Sequence, residues 1–239
     1  MKLLGINIDH IATLRNARAG KIPNLTRAVE IINKCMGIEF ITIHLREDRR
    51  HINDADAILL CEESPLNINL EIACTQEMIS FAIKHKPYAV CFVPEKRTEQ
   101  TTESGLDVIK HRVELESAIS TMKQNGIKIT LFLDPIPQHI ELAKEIGADT
   151  VEIHTGKYSN ETGISQEKEL QFIKEVAKLT VKLGMECHAG HGLNYKNIVP
   201  LAKIDEITLF NIGHFLVSEA VYLGLEKAVN KMHEIINAS

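Results

Sequence analysis

Histidines and carboxylates stand where short apolar runs end. The run Leu3 to Asp9 finishes on Asn7 and Asp9, with His10 next. Glu39 to His44 ends on His44, and Arg46 follows. Glu71 closes Asn67 to Glu71, and Glu152 and His154 close Thr150 to His154. Met185 to Ala189 leads into His191, and Ile207 to Ile212 carries Asn211 and leads into Gly213 and His214. Side chains alternate across a strand, so Asn7 shares a face with Asp9, Thr42 with His44, and Glu152 with His154. A buried face normally takes Val, Ile or Leu, and polar groups there are costly unless paired or used. The use that fits is proton transfer, because imidazole titrates near neutrality and a carboxyl in a semi-apolar mouth holds its proton longer. Any one histidine is more often a satisfied structural group. Seven of the eleven, however, fall in or just after such runs (His10, His44, His51, His154, His188, His191 and His214), which favours a site. His44, Glu71, Glu152 and His191 would also suit a metal ion. No H-E-x-x-H or paired-cysteine motif accompanies them, so acid–base work is preferred and no metal is assigned.

Two places suit an anion. The segment His44 to His51 holds Arg46, Arg49 and Arg50 among Glu47 and Asp48. A self-paired solvated loop accounts for Arg49 and Arg50. Arg46, just beyond His44, suits bidentate phosphate binding. Late in the chain, Ala189-Gly190-His191-Gly192-Leu193-Asn194 and Asn211-Ile212-Gly213-His214 each offer a glycine turn, the second before a helix. Either alone is most simply a tight turn. Together they resemble the backbone nest that holds phosphate at helix N-termini and after the last strands of barrels.

The elements that must position these groups alternate along the chain. Eight strands are expected, at Leu3–Asp9, Glu39–His44, Asn67–Glu71, Tyr88–Val93, Ile127–Leu133, Thr150–His154, Met185–Ala189 and Ile207–Ile212. Helical periodicity lies between them, for example over Asn24–Met36, Thr75–His85, Arg112–Gln124 and Gln166–Leu183. Asn24 or Thr26 can cap the helix after Pro23, and Gly37, Gly126, Gly147 and Gly184 suit helix C-caps. The stretch Pro94 to Gly126 has room for a loop before its helix, and Phe215 to the end has room for an extra helix. Strand and helix in strict alternation argue for parallel βαβ units. The rival open sheet usually shows G-x-G-x-x-G after its first strand; here Asp9-His10-Ile11-Ala12-Thr13 follows. The expectation is an α/β (β/α)8 TIM barrel with a few additional helices, one catalytic domain over residues 1–239.

Composition narrows the partners. The net charge is −5 and the sequence pI about 6.1, so no global attraction to nucleic acid or anionic membrane is expected. Trp is absent and aromatics are 5%, leaving little stacking surface. No apolar run approaches a membrane span, and the N-terminal apolar stretch is too short and polar for a signal peptide. The five cysteines are odd in number and widely spaced. Reduced thiols in a cytoplasmic protein are the simplest reading.

Longer runs resemble a known family. Gly5 to Arg18, Ile43 to Ile52, Asn69-Leu70-Glu71, Val93-Pro94-Glu95-Lys96-Arg97, Thr101-Thr102-Glu103, Glu152-Ile153-His154-Thr155-Gly156, Ala189 to Leu193 and Leu209 to His214 are similar, in order, to the pyridoxine 5′-phosphate synthase family. The resemblance implies a ring closure without cofactor in vitamin B6 synthesis. It condenses 1-deoxy-D-xylulose 5-phosphate with 3-amino-2-oxopropyl phosphate to give pyridoxine 5′-phosphate, phosphate and water. It implies acid–base roles for His44 and Glu71, a proton donor in His191, and charge stabilisation by Glu152. It places Asp9, His10, Arg46, His51 and Thr101 on the deoxyxylulose phosphate. Asn7, Arg18, Gly192, Gly213 and His214 fall on the aminoketone phosphate. It also implies a homo-octamer. His188, Lys21 to Asn24 and Lys157 to Gln166 fall outside the matching motifs, and Lys96 is taken as structural.

Overall fold

The computed structural model describes residues 1–95 and 104–238. Eight strands close into a barrel in sequence order, every neighbouring pair parallel. They are β1 (Leu3–Asn7), β2 (Ile38–His44), β3 (Asn67–Ile72), β4 (Ala89–Phe92), β5 (Lys128–Leu133), β6 (Thr150–His154), β7 (Glu186–Gly190) and β8 (Leu209–Ile212). Helices intervene: α1 (Asp9–Asn16) and α2 (Leu25–Ile32) after β1, α3 (Asp54–Glu63) after β2, α4 (Gln76–His85) after β3, and α5 (Arg112–Gln124) after β4. α6 (Pro137–Glu145) follows β5, α7 (Gly156–Asn160) and α8 (Gly163–Lys182) follow β6, and α9 (Ile198–Ala202) follows β7. The chain closes with α10 (His214–Leu223) and α11 (Leu225–Asn237), broken at Gly224. This is a TIM barrel with additional helices.

Local sequence explains the joints. Asn24 accepts a hydrogen bond from the Arg27 amide at 2.8 Å and so caps α2. Asn53 and Asp56 form a reciprocal capping box at the start of α3. Gly126 and Gly147 have φ of 78° and 92°, a left-handed backbone that ends α5 and α6 just before their strands.

The apolar core is an annulus between strands and helices. The β-branched and leucine residues of each strand, such as Ile41, Ile43, Ile68, Leu70, Ile129, Leu131, Val151 and Ile153, are fully or almost fully buried there. Each side chain so buried stabilises the fold by about 1.5–3 kcal/mol. The alternate residues are different. Thr42, Asn69, Thr130, Glu152, His188 and Asn211 are buried and polar, and the small cluster Cys91, Val93 and Phe132 stands apart from the main core. Two periodicities in one strand thus separate stability from chemistry.

The observed strands match the expected ones within one or two residues, and one difference alters the site. The first strand stops at Asn7, not Asp9. Ile8 adopts φ −107° and ψ 10°, outside the strand region, and the chain turns at once into α1. Asp9 and His10 therefore approach the barrel axis from a helix N-terminus.

Candidate active site

A cavity of about 800 Å³ opens at the C-terminal ends of the strands, the face where barrels of this kind carry their chemistry. Its lining includes Asn7, Asp9, His10, His44, Arg46, His51, Glu71, Glu152, His191, Gly192, Gly213 and His214. Strand ends supply Asn7, His44, Glu71 and Glu152, and loops or helix starts supply the rest. Two anticipated residues are not in this group. Arg18 lies exposed on the turn after α1, and Thr101, like Lys96, lies outside the described residues. Arg49 and Arg50 are paired: Arg49 with Asp54 at 3.1 Å and with Glu77, Arg50 with Asp48. Arg50 still borders the cavity.

The carboxylates sit deep. The Asp9 side chain accepts from the His44 amide at 2.9 Å and from Asn7 Nδ2 at 2.8 Å, tying the end of β1 to the end of β2. Burial nevertheless raises its pKa to about 7. Burial likewise pushes Glu152 up to about 7, against the lowering effect of a hydrogen bond from Asn211 Nδ2. Asn211 Oδ1 accepts from Thr42 Oγ1 at 2.9 Å, and Thr42 Oγ1 accepts from Asn69 Nδ2 at 3.3 Å. A polar chain thus crosses the lumen and holds Glu152. Gly190 lies beside it, and a Cβ there would collide with Glu152 Oε1. Burial, then the charges of Glu152 and Asp9, drive Glu71 well above the usual carboxylate range. Neighbouring carboxyls of this kind do not readily ionise together, so one keeps a proton while another gives one up.

The histidines shift the opposite way. Burial, then the nearby Arg46 charge, lowers His44 to about 3. Burial, then His10, lowers His51 to about 4, while Thr13 Oγ1 holds His51 Nδ1 at 2.9 Å. Burial, then His154, lowers His191 to about 4. His10 is lowered by burial and by His214, whose ring centroid is 4.9 Å away. Lowered in this way, these rings are bases at neutral pH. A phosphate dianion among them would favour their charged forms.

His44 lies between two carboxylates: its Nδ1 is 3.8 Å from Glu71 Oε2 and its Nε2 is 3.9 Å from Glu95 Oε2. Glu95 also approaches Arg46 at 3.8 Å and accepts from the Glu47 amide at 2.9 Å. Sequence reasoning gave Glu95 no role, although it stands inside a matching motif. The only signal was a charged residue directly after a strand. Asn211 stands at a strand end in the sequence, yet nothing there marks it as the residue that holds Glu152.

The late glycine loops form a second polar rim. His191 and Gly192 have φ of 82° and 75°. Gly213 precedes α10, and a Cβ on it would come within 2.9 Å of the Asn7 side chain. Backbone amides at such turns and at a helix N-terminus suit an anion.

Asp9, His44 and Glu71 each offer a donor atom, all within 4.8 Å of one another. This set could hold a divalent ion, and it regroups two of the residues weighed from sequence with Asp9. A cation there would compete with the bonds Asp9 already accepts from His44 and Asn7. Burial also favours the protonated carboxyl forms that a metal must displace.

Comparison with known proteins places the chain among relatives. The pyridoxine 5′-phosphate synthase of a Sulfurihydrogenibium species is 50% identical over 236 residues, covering 98% of this chain and 97% of that protein. The pyridoxine 5′-phosphate synthase of Pelagibacter ubique is 47% identical over 239 residues, covering 99% of this chain and all of that one. Among solved structures, a mutant tryptophan synthase α-subunit from Pyrococcus furiosus superposes with a TM-score of 0.66 at 11% identity, over 100% of this chain and 98% of that one. That likeness concerns the fold alone. The family described as pyridoxal phosphate biosynthesis protein PdxJ matches residues 4–238, and the chain belongs to that family.

Proposed function

We propose that this chain is a pyridoxine 5′-phosphate synthase acting as one catalytic domain over residues 1–239. It condenses 1-deoxy-D-xylulose 5-phosphate with 3-amino-2-oxopropyl phosphate, releasing phosphate and water as the pyridine ring closes. The observation that carries this reading is the meeting of His44, Glu71, Glu152 and His191 around one cavity at the strand ends, in a chain of this family.

The reaction needs several proton movements. An amine adds to a ketone, water leaves, phosphate leaves, and an aldol-type step closes the ring. Each positioned acid or base can contribute roughly 10²–10⁴-fold. His44 and Glu71 serve as acid–base groups, supported by their 3.8 Å separation and opposite shifts. Glu152, held by Asn211, stabilises developing positive charge when ionised. His191 donates a proton after substrate phosphate has raised its pKa. Arg46 and His51, with Asp9 and His10, hold the deoxyxylulose phosphate. Asn7, Gly192, Gly213 and His214 hold the aminoketone phosphate, with Arg18 and Thr101 completing the two sites. Holding both substrates makes a bimolecular condensation effectively intramolecular. The substrate supplies the amine, so neither a lysine Schiff base nor a cofactor is required.

The test is incubation of purified protein with both substrates, reading the pyridine chromophore and released phosphate. Formation of both products is expected, and phosphate ester binding without either product would overturn the reading. The Asp9, His44 and Glu71 cluster favours one rival, a metal-dependent phosphosugar isomerase. Stoichiometric metal by elemental analysis, with activity lost on chelation, would support that rival. The resemblance further supports a homo-octamer in the cytoplasm. Among the described residues no helix is long and apolar enough to cross a membrane. Light scattering that gave a monomer would refute the assembly.

A further inference from the structure

The motif Glu152-Ile153-His154-Thr155-Gly156 contributes Glu152 to the proposed chemistry and leaves the rest unexplained. His154, Thr155 and Gly156 converge on His191. That histidine sits between Gly190 and Gly192 on a left-handed backbone, where neither strand nor helix geometry fixes its ring. Support must come from outside the loop.

Thr155 supplies it for the backbone. Its hydroxyl oxygen lies 2.7 Å from the carbonyl oxygens of both Gly190 and His191, which share its single O–H, and its amide donates to Gly190 O at 2.9 Å. His154 supplies it for the ring. The two imidazole centroids are 5.0 Å apart with an interplanar angle of 60°. Gly156 makes the approach possible, since a Cβ there would come within 3.0 Å of His191 Cδ2 and nearer still to the His154 ring.

His154 is itself held. Its Nδ1 lies 2.9 Å from Asp134 Oδ1, and Phe132 packs against its ring at 5.0 Å. Burial alone would raise Asp134. The His154 hydrogen bond and one from the Gly105 backbone instead hold it below its usual value. An ionised carboxylate only accepts, so Nδ1 of His154 is the protonated nitrogen and Nε2 faces away from Asp134. That Nε2 is buried and has no hydrogen-bond partner among the described residues. It lies on the side where Gly156 separates it from His191.

We propose that Asp134 and His154 are positioning residues that fix the ring of His191. The inference rests on the reading of His191 as the proton donor. Asp134 sets the orientation and tautomer of His154, His154 sets the placement of His191, and Thr155 locks the backbone beneath it. Carboxylates orient imidazoles in the same way in catalytic triads. Here the oriented imidazole acts on a second one.

The experiment is steady-state kinetics with both substrates on the full chain. The variants are His154→Gln, Asp134→Ala, Asp134→Asn and His191→Asn, each checked for folding by circular dichroism. His154→Gln and Asp134→Ala are expected to lower kcat by ~10- to 100-fold, the loss that about 1 Å of misplacement produces. KM for both substrates should stay within about twofold. Asp134→Asn keeps an oxygen that accepts from Nδ1, and it should recover most of the turnover lost in Asp134→Ala. If Asp134→Ala does not fold, His154→Gln carries the test, with near-wild-type turnover expected of Asp134→Asn. Wild-type kcat in His154→Gln, alongside an inactive His191→Asn, overturns this inference and spares the proton-donor reading. Full turnover in His191→Asn overturns both. A parallel change of kcat and KM in His154→Gln and Asp134→Asn would mark a merely structural role and also overturn it.

Discussion

The barrel has a cavity at each end, and the two are close in size: about 800 Å³ at the C-terminal mouth and about 890 Å³ at the floor beneath β5 to β7. The floor is lined by Lys123, Lys128, Lys144, Asp149 and the glycines that end the preceding helices. The charges of Lys123, Asp149 and Lys128 are met locally. Lys123 Nζ contacts Asp149 at 2.6 Å and the Gly147 carbonyl at 2.9 Å, and Asp149 also accepts from the Ile129 amide at 2.9 Å. Lys128 donates to the Tyr88 hydroxyl at 2.8 Å. At the mouth, by contrast, His44 Nε2, Glu95 Oε2 and His154 Nε2 are buried without a hydrogen-bond partner. Volume does not distinguish a site from a crevice. A gathering of partnerless buried polar groups at one end does mark a candidate site, whereas His139 Nδ1 in α6 and His233 Nε2 in α11 are isolated cases.

The sharpest way to break this contrast is to change the mouth. Glu71→Gln or His191→Asn should lower kcat by roughly 10²–10⁴-fold, with an unchanged circular dichroism spectrum. Undiminished release of phosphate and pyridine product would remove the mouth from the chemistry. Arg46→Lys keeps the charge and loses the planar fork. A KM for the deoxyxylulose phosphate raised by ~10- to 100-fold is expected, the equivalent of one or two charge-assisted hydrogen bonds. Equal KM values in the two proteins would place the phosphate elsewhere.

Glu152→Gln sharpens the comparison through stability. Burial raises Glu152 to about 7 in the folded chain from the ordinary glutamate value of 4.5. The folded state therefore binds the proton more tightly than the unfolded chain. The associated stability is complete below about pH 4.5 and is lost as pH rises through about 7. Glutamine has no charge to bury, so the variant should gain on the order of 2–4 kcal/mol over the parent at pH 8 and little at pH 5. Thermal melts at both values decide this, and a gain independent of pH would show that Glu152 is not strained by ionisation.

Lys123→Ala at the floor should have the smallest effect. Its partly exposed pair with Asp149 contributes at most about 1 kcal/mol, and turnover should be unchanged. A large loss of kcat would mean that the floor communicates with the mouth.

Much of this was legible because the strands carry two signals at once. Outward Ile, Leu and Val mark the elements, and the polar residues alternating with them mark the lumen. The end of β1 was misjudged because Asn7 and Asp9 keep the alternation going while the backbone has already turned helical at Ile8. Asp134 was missed because Asp134-Pro135 reads as an ordinary turn, and nothing local says that a histidine twenty residues later lies against it. Glu95 was hidden for a related reason. Its partners, His44, Arg46 and the Glu47 amide, belong to another strand's loop, and only barrel closure brings them together. Residues whose role depends on their own strand could be read in advance, whereas those that act by reaching across strands could not.

The left-handed backbone at His191 has a consequence for how this chain can change. Non-glycine residues pay about 1–3 kcal/mol in such a conformation, so glycine is the residue the loop itself would choose. A selection for heat resistance alone should recover His191→Gly, a sturdier protein with no proton to give. Ala19, Arg49 and Lys86 also hold a left-handed backbone, but at His191 the proposed proton transfer gives the chain a reason to keep the costlier residue.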